Sequence, residues 1–288
     1  MNKISENQPP ADVTMTLNDE ELVELRDAKN AIENVGVVMS NLNKVGSKIE
    51  SGISALPENQ QEWLSKNITN ILFKILKSNI STIENDKTFK KSSDLSYRLL
   101  VGASGVGSGL FGSFNFIGTS VFITELYFST RMMMRSILEI ARSEGEDIYD
   151  VDTQLACLQV FALGTDTKGQ NPTETSYYAT RIAMVTAARS ASAYLSKHGI
   201  QGLGKIMMTN ANPVLMMIGL IATRLTIQIS EKFIARAVPV IGAVGGGALN
   251  YVYIEHFQNM AKAHFTIRRL EKRYGEDEVR SLFERIII

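Results

Sequence analysis

The chain has 288 residues, 30 Lys plus Arg against 30 Asp plus Glu, and 44% hydrophobic residues. That composition excludes a disordered chain, and the length suffices for a sizeable core. A net charge of zero argues against bulk nucleic-acid binding, which needs a basic surface to displace counterions, so no nucleic-acid partner is expected.

Residues 1–17 contain no apolar core segment and no cleavage signal, and read as a disordered tail on a cytosolic protein. The rest, 18–288, reads as one helical domain. Asp19-Glu20-Glu21 opens the first helix, because acids favour the first turn, and Leu22, Leu25, Ala28, Ile32, Val35, Val38 and Met39 continue its apolar stripe. Gly52 and Pro57 punctuate before a second helix over about 58–83, with Trp63, Leu64, Ile68, Ile71, Leu72 and Ile75 inward. Lys66, Lys74, Lys77, Lys87, Lys90 and Lys91 make the most basic region. Its first reading is a solvated face; anionic lipid headgroups are the other partner such a flank suits.

A long amphipathic helix over about 117–142 follows, with Ile123, Leu126, Met133, Ile137 and Ile140 on one side and Arg131, Arg135, Glu139 and Arg142 on another. Asp150 or Asp152 caps the next helix, where the only cysteine, Cys157, lies among Leu155, Ala156 and Leu158. A lone cysteine in that setting forms no intramolecular disulfide and reads as a buried thiol. Residues 164–173 read as a loop, and helices follow at about 174–197, 213–236, 241–274 and 276–286. The expected fold is all-α, a multi-helix bundle with long amphipathic helices and two glycine-rich apolar helical segments.

Three stretches carry no charge: between Arg98 and Glu125, between Lys205 and Arg224, and between Arg236 and Glu255. Each approaches or exceeds the roughly 18 residues that raise the question of a membrane span. Their serines, asparagines, threonines and glycines make them uncharged more than apolar, which favours helices buried in a soluble or peripheral protein over spans.

The run GASGVGSGLFG at 102–112 contains G-x-G-x-x-G at 107–112, the spacing of a dinucleotide-binding loop. That loop needs a strand before it and a second after it. Residues 97–101 and 121–124 would have to serve, leaving a crossover helix of about eight residues, shorter than a βαβ unit needs, and no further strands to complete a sheet. The alternative needs less. Gly105, Gly109 and Ser113 repeat every fourth residue, as do Gly242 and Gly246, and small residues at that spacing let helices approach closely. Gly105, Gly109, Gly112, Gly242, Gly245 and Gly246 are therefore the candidates for helix packing or membrane contact. No cofactor is expected. The two glycine stretches, each followed by a long helix and then by Glu144-Gly145-Glu146-Asp147 or Gly275-Glu276-Asp277, are also compatible with an internal duplication.

The second glycine stretch, Ala237-Val238-Pro239-Val240-Ile241-Gly242-Ala243-Val244-Gly245-Gly246, leads into a helix that includes Glu255-His256-Phe257 and His264-Phe265-Thr266-Ile267-Arg268-Arg269-Leu270-Glu271-Lys272-Arg273-Tyr274-Gly275. This resembles the C-terminal signature of the EcsC family; the 102–112 run, the helix from Arg131 to Gly145 and the segment 153–164 resemble its middle. The resemblance covers about 60–280, with no counterpart placed for the opening helix. It implies a mainly helical bacterial protein whose namesake is encoded beside the subunits of an ABC transport system, and it implies no particular reaction. Glu125-Leu126-Tyr127 stands where members of that family often carry Asp-Leu-Pro; the acid is kept, and without the proline the helix is free to run on.

Among polar residues, His256 and His264 are eight positions apart, about 12 Å along a helix axis. Chelation from one helix wants i,i+4, so the pair does not share one metal, and no metal site is expected. With Glu125 they are the candidate catalytic residues; the competing reading is two histidines hydrogen-bonded at a helix interface. Three functions remain open. One is a non-enzymatic membrane-associated protein, cytoplasmic or peripheral to the inner face of the membrane, assisting or regulating a membrane transport assembly. The others are an enzyme using Glu125, His256 and His264, with or without a metal, and a lipid-inserting or pore-forming effector.

Overall fold

The structure is a computed structural model that describes residues 17–33, 58–85, 96–99, 101, 116–163, 175–205, 212–237 and 239–288. Every regular element among them is a helix: α1 (19–33), α2 (Glu58–Asn85), a short α3 (96–99), α4 (Phe116–Ser143), α5 (Val151–Leu163), α6 (Thr175–Lys205), α7 (Pro213–Ala237), α8 (Pro239–Tyr274) and α9 (Glu276–Arg285). Residues 97–99 and 121–124 are helical, so neither candidate strand of the dinucleotide reading forms. Residues 102–112, with Gly105, Gly109 and Gly112, lie outside the described residues, as do the first 16, Val35 to Met39, and Lys87, Lys90 and Lys91. Around Gly242, Gly245 and Gly246 the backbone is helical, within α8.

Local chemistry sets the ends. Asn18 and Glu21 form a reciprocal capping box on α1: Glu21 N donates to Asn18 Oδ1 (2.9 Å) and Asn18 N to Glu21 Oε2 (3.0 Å). Asp150 caps α5 through Thr153 N (3.3 Å), and Asn212 caps α7 through Val214 N (2.9 Å), ahead of Pro213, which has no N–H to satisfy. α4 ends in a Schellman turn: Glu146 N donates to Ala141 O and Gly145 N to Arg142 O, with Gly145 at φ +84°. Gly275 also has a positive φ, +93°, but it starts α9 directly and makes a different turn. The two units that echo each other in sequence thus end their long helices differently.

α5 is the hub. Thr153 to Leu158 and Val160 to Leu163 are all buried, and α5 packs against α2, α4, α6, α7 and α8. A helix apolar all round can only sit inside other helices. Cys157 is buried here and burial pushes its thiol pKa far up, so it stays a protonated core group. α7 lies between α2 and α6, and α8 lies against α4. On α2, Leu64, Ile68, Ile71, Leu72 and Ile75 face inward as their spacing requires, and Lys66, Lys74 and Lys77 are exposed.

α1 and α9 close the structure. Lys29 is buried on α1, at a position that falls between Leu25 and Ile32 on the inward side. Its Nζ donates to Phe283 O (2.9 Å) and Ile286 O (2.7 Å), and lies 5.3 Å from the Phe283 ring centre. Those carbonyls end α9, where a cation also meets the negative end of the helix dipole. Lys29→Ala should therefore cost about 2–3 kcal/mol in urea unfolding, because two carbonyls lose a charged donor. Lys74→Ala, on the exposed face of α2, should stay within about 0.5 kcal/mol. Equal effects would mean that Lys29 does not hold α9.

Candidate functional site

The polar residues singled out in the sequence lie along α8, and α8 presents them at successive levels. At its upper level Asn250 Nδ2 donates to Val101 O (3.0 Å) and to Glu125 Oε1 of α4; both side chains are buried. α4 continues unbroken through Glu125-Leu126-Tyr127, as the missing proline allows. Next, Arg98 donates to Glu255 Oε1 (2.6 Å) and Gln258 Oε1 (2.6 Å), while Gln258 Nε2 donates to Ser136 Oγ (2.8 Å). Tyr97 donates to Glu139 of α4 (2.7 Å), so the α4 stripe of Arg135, Glu139 and Arg142 is half-buried; Arg131 alone in it is fully exposed.

The histidines sit deeper. His256 is buried, and neither ring nitrogen has a hydrogen-bond partner among the described residues. Burial alone lowers its pKa to about 4, so the ring is neutral. His264 is also buried, with Nδ1 2.9 Å from the Tyr177 hydroxyl of α6. Arg181 Nη1 lies 3.5 Å from that same oxygen, and the buried Nε2 of His264 has no hydrogen-bond partner among the described residues. Burial, then the nearby Arg181 and Arg268, hold the His264 pKa well below its usual value.

Glu125, His256 and His264 therefore occupy three separate places. From Asn250, the α8 partner of Glu125, His256 is about 9 Å further along the axis and His264 about 21 Å. No three His, Cys, Asp or Glu side chains among the described residues are placed to hold a metal ion. A small, mainly apolar cavity near α8 is bounded by Leu126, Met133, Phe161, Leu225, Tyr253 and Phe257, with Ser129 and Thr130. Its space of about 10 Å³ holds about one water molecule and no organic substrate.

The last three turns of α8 form a collar of ion pairs. Arg181 of α6 makes a two-pronged pair with Glu271 (2.6 and 2.7 Å), with Tyr177 and Tyr178 rings each 5.4 Å from the guanidinium. Glu146, in the turn after α4, accepts from Arg268 (3.1 Å), Lys272 (2.7 Å) and Thr153 (3.1 Å). Burial would raise its pKa, but the hydrogen bonds from Lys272 and Arg268 outweigh that and hold it below its usual value. Arg269 bridges Glu144 (2.9 Å) and Glu24 of α1 (2.8 Å). Glu21 accepts from Arg273 (2.7 Å) and Tyr274 (2.5 Å); the Tyr274 bond, then the Asn18 amide, lower its pKa. The sequence alone pairs none of these carboxylates with its cation. The Asn18-x-x-Glu21 spacing and four cations in the last seven residues of α8 are the signals that mark them.

A sequence profile of the EcsC protein family matches residues 20–270. The chain belongs to the EcsC family. No curated protein and no solved structure matches it. The family match begins at residue 20 rather than near 60, so the opening helix belongs to the EcsC unit. The collar gives the physical reason, since Glu21 and Glu24 of α1 receive Arg273 and Arg269 of α8. The stretch from Glu255 to Tyr274 of α8 ties α1, α4, α6 and the α4–α5 turn together.

A buried histidine with a lowered pKa stabilises the fold fully above its unfolded pKa near 6.5, and that stability is lost as pH falls toward the folded value. For His256 the window runs from 6.5 to about 4 and the loss approaches about 3 kcal/mol. Denaturant unfolding should show stability falling through this range, and His256→Leu should flatten the slope. An unchanged slope would place the proton uptake elsewhere.

Proposed function

We propose that this EcsC-family protein acts without catalysis, as a helical protein that attaches to a membrane surface and there assists or regulates a membrane transport assembly. The observation that carries the reading is the outer face of α7. This helix runs through the middle charge-free stretch, and there Met216 is 58% exposed and Leu220 46%. Two large apolar side chains one turn apart, held out from a face with no charge between Lys205 and Arg224, mark a surface that meets something other than water.

Two further observations support it. Glu125 is bonded to Asn250 and His264 to Tyr177, in contacts between helices, so both have packing roles that account for them. No helix among the described residues is long and apolar enough to cross a membrane, which suits attachment at the surface. The transport assembly follows from the family resemblance, whose namesake is encoded beside ABC transporter subunits, and the cytoplasmic face follows from that partner.

Fractionation of cells expressing the protein tests this reading. The protein should sediment with membranes, be released in part by high salt, and be released completely by an alkaline wash. Protein found wholly in the supernatant at physiological ionic strength would contradict attachment. Resistance to the alkaline wash would point to insertion of the glycine-rich helices instead.

A further inference from the structure

In a chain with no net charge, residues 175–230 contain five Lys and Arg and no Asp or Glu. This segment includes α6 and most of α7. Arg181 is turned inward to Glu271, and Arg224 Nη1 donates to Thr180 Oγ1 (3.0 Å), across the α6–α7 contact. Arg189 and Lys197 are exposed on α6.

The Arg224–Thr180 bond also sets the register of the two helices. Leu220, one turn before Arg224, is about 6 Å from that bond along the α7 axis. On the other flank, Thr223 of α7 shares an open groove with Lys66, Thr69 and Asn70 of α2. Glu62 is the one acid on that groove, and Lys66 is followed along the exposed side of α2 by Lys74 and Lys77. The outer surface of α7 is therefore apolar at Leu220 and Met216, with exposed Lys66, Lys74 and Lys77 on neighbouring α2 and exposed Arg189 and Lys197 on neighbouring α6.

We infer that this α2–α7–α6 face docks on a bilayer rich in anionic phospholipid, with the apolar side chains at the headgroup–acyl boundary and the flanking cations on the phosphates. The inference rests on the membrane reading above and adds the face and the lipid. Charge complementarity selects an anionic partner. The large exposed aliphatic side chains select lipid over nucleic acid, whose phosphate backbone offers them nothing to cover. A zero net charge does not oppose this, because the potential that steers binding is local to a face and fades within a Debye length of about 10 Å.

The test is co-sedimentation of the full chain with two kinds of vesicle, one of equal parts phosphatidylglycerol and phosphatidylcholine, the other phosphatidylcholine alone, with a short DNA duplex as a separate probe. The protein should bind the anionic vesicles, bind phosphatidylcholine at least about tenfold more weakly, and weaken further in high salt. Met216→Asp with Leu220→Asp should lower binding about tenfold or more, and so should Lys66→Glu with Arg189→Glu. Arg26→Glu, on the exposed side of α1, should leave binding unchanged. Circular dichroism and thermal unfolding confirm that each variant is folded, which exposed positions permit; if the apolar pair does not fold, the charge pair decides. Wild-type binding that every α2, α6 and α7 variant retains would overturn this face and leave membrane attachment standing. Binding to neither vesicle would overturn both. Binding to the duplex with none to vesicles would overturn the lipid assignment.

Discussion

The two-pronged pair between Arg181 and Glu271 is the interaction on which the lower half of the molecule depends. Both side chains are largely buried, and a buried charge without its partner is far more costly than either neighbour can offset. The pair fixes α6 against α8. The turns around it repeat the arrangement with other elements: Arg268 and Lys272 hold the α4–α5 turn through Glu146, and Arg269 and Arg273 hold α1 through Glu24 and Glu21. The four cations at the end of α8 thus answer carboxylates from α1 and from the α4–α5 turn. The exposed members add little individually, but the network defines one register for every helix it touches.

That arrangement gives Glu125 and His264 partners on other helices. His264 is set by Tyr177, which is set in turn by Arg181, and burial pushes the tyrosine pKa up so that the phenol remains neutral. His256 is neutral for the simpler reason that the core around it excludes charge. Exposed cations without acids beside them in sequence are found on α6, at Arg189 and Lys197. The collar is balanced internally, and acids elsewhere in the chain offset the cations of α6.

Much of the helical layout was legible in the sequence because it depends on neighbours three or four residues apart. The α2 stripe from Leu64 to Ile75, the Asp150 cap and the start of α7 at Pro213 all follow from local spacing. Gly145 and Gly275 follow from the positive φ that only glycine adopts readily. The contacts that decide the site do not. Lys29 reaches carbonyls 254 and 257 residues away, Arg181 reaches a carboxylate 90 residues away and Asn250 one 125 residues away. Lys29 looks like an error in an apolar stripe until α9 is in place. His264 was expected to be hydrogen-bonded at a helix interface and is; His256 was expected to be the same and is instead enclosed without a partner among the described residues. The reading of Gly105, Gly109 and Gly112 as a close-packing face falls outside the described residues. That of Gly242, Gly245 and Gly246 has only a helical backbone beside it.

The account divides the molecule into a collar that holds helices together and a face that meets lipid. Amide hydrogen exchange of the full chain, with and without phosphatidylglycerol vesicles, tests that division directly. The account predicts slower exchange with vesicles over the exposed segments of α7, α6 and α2, and no change over the last three turns of α8. Protection appearing at the collar, with α7 unaffected, would contradict it.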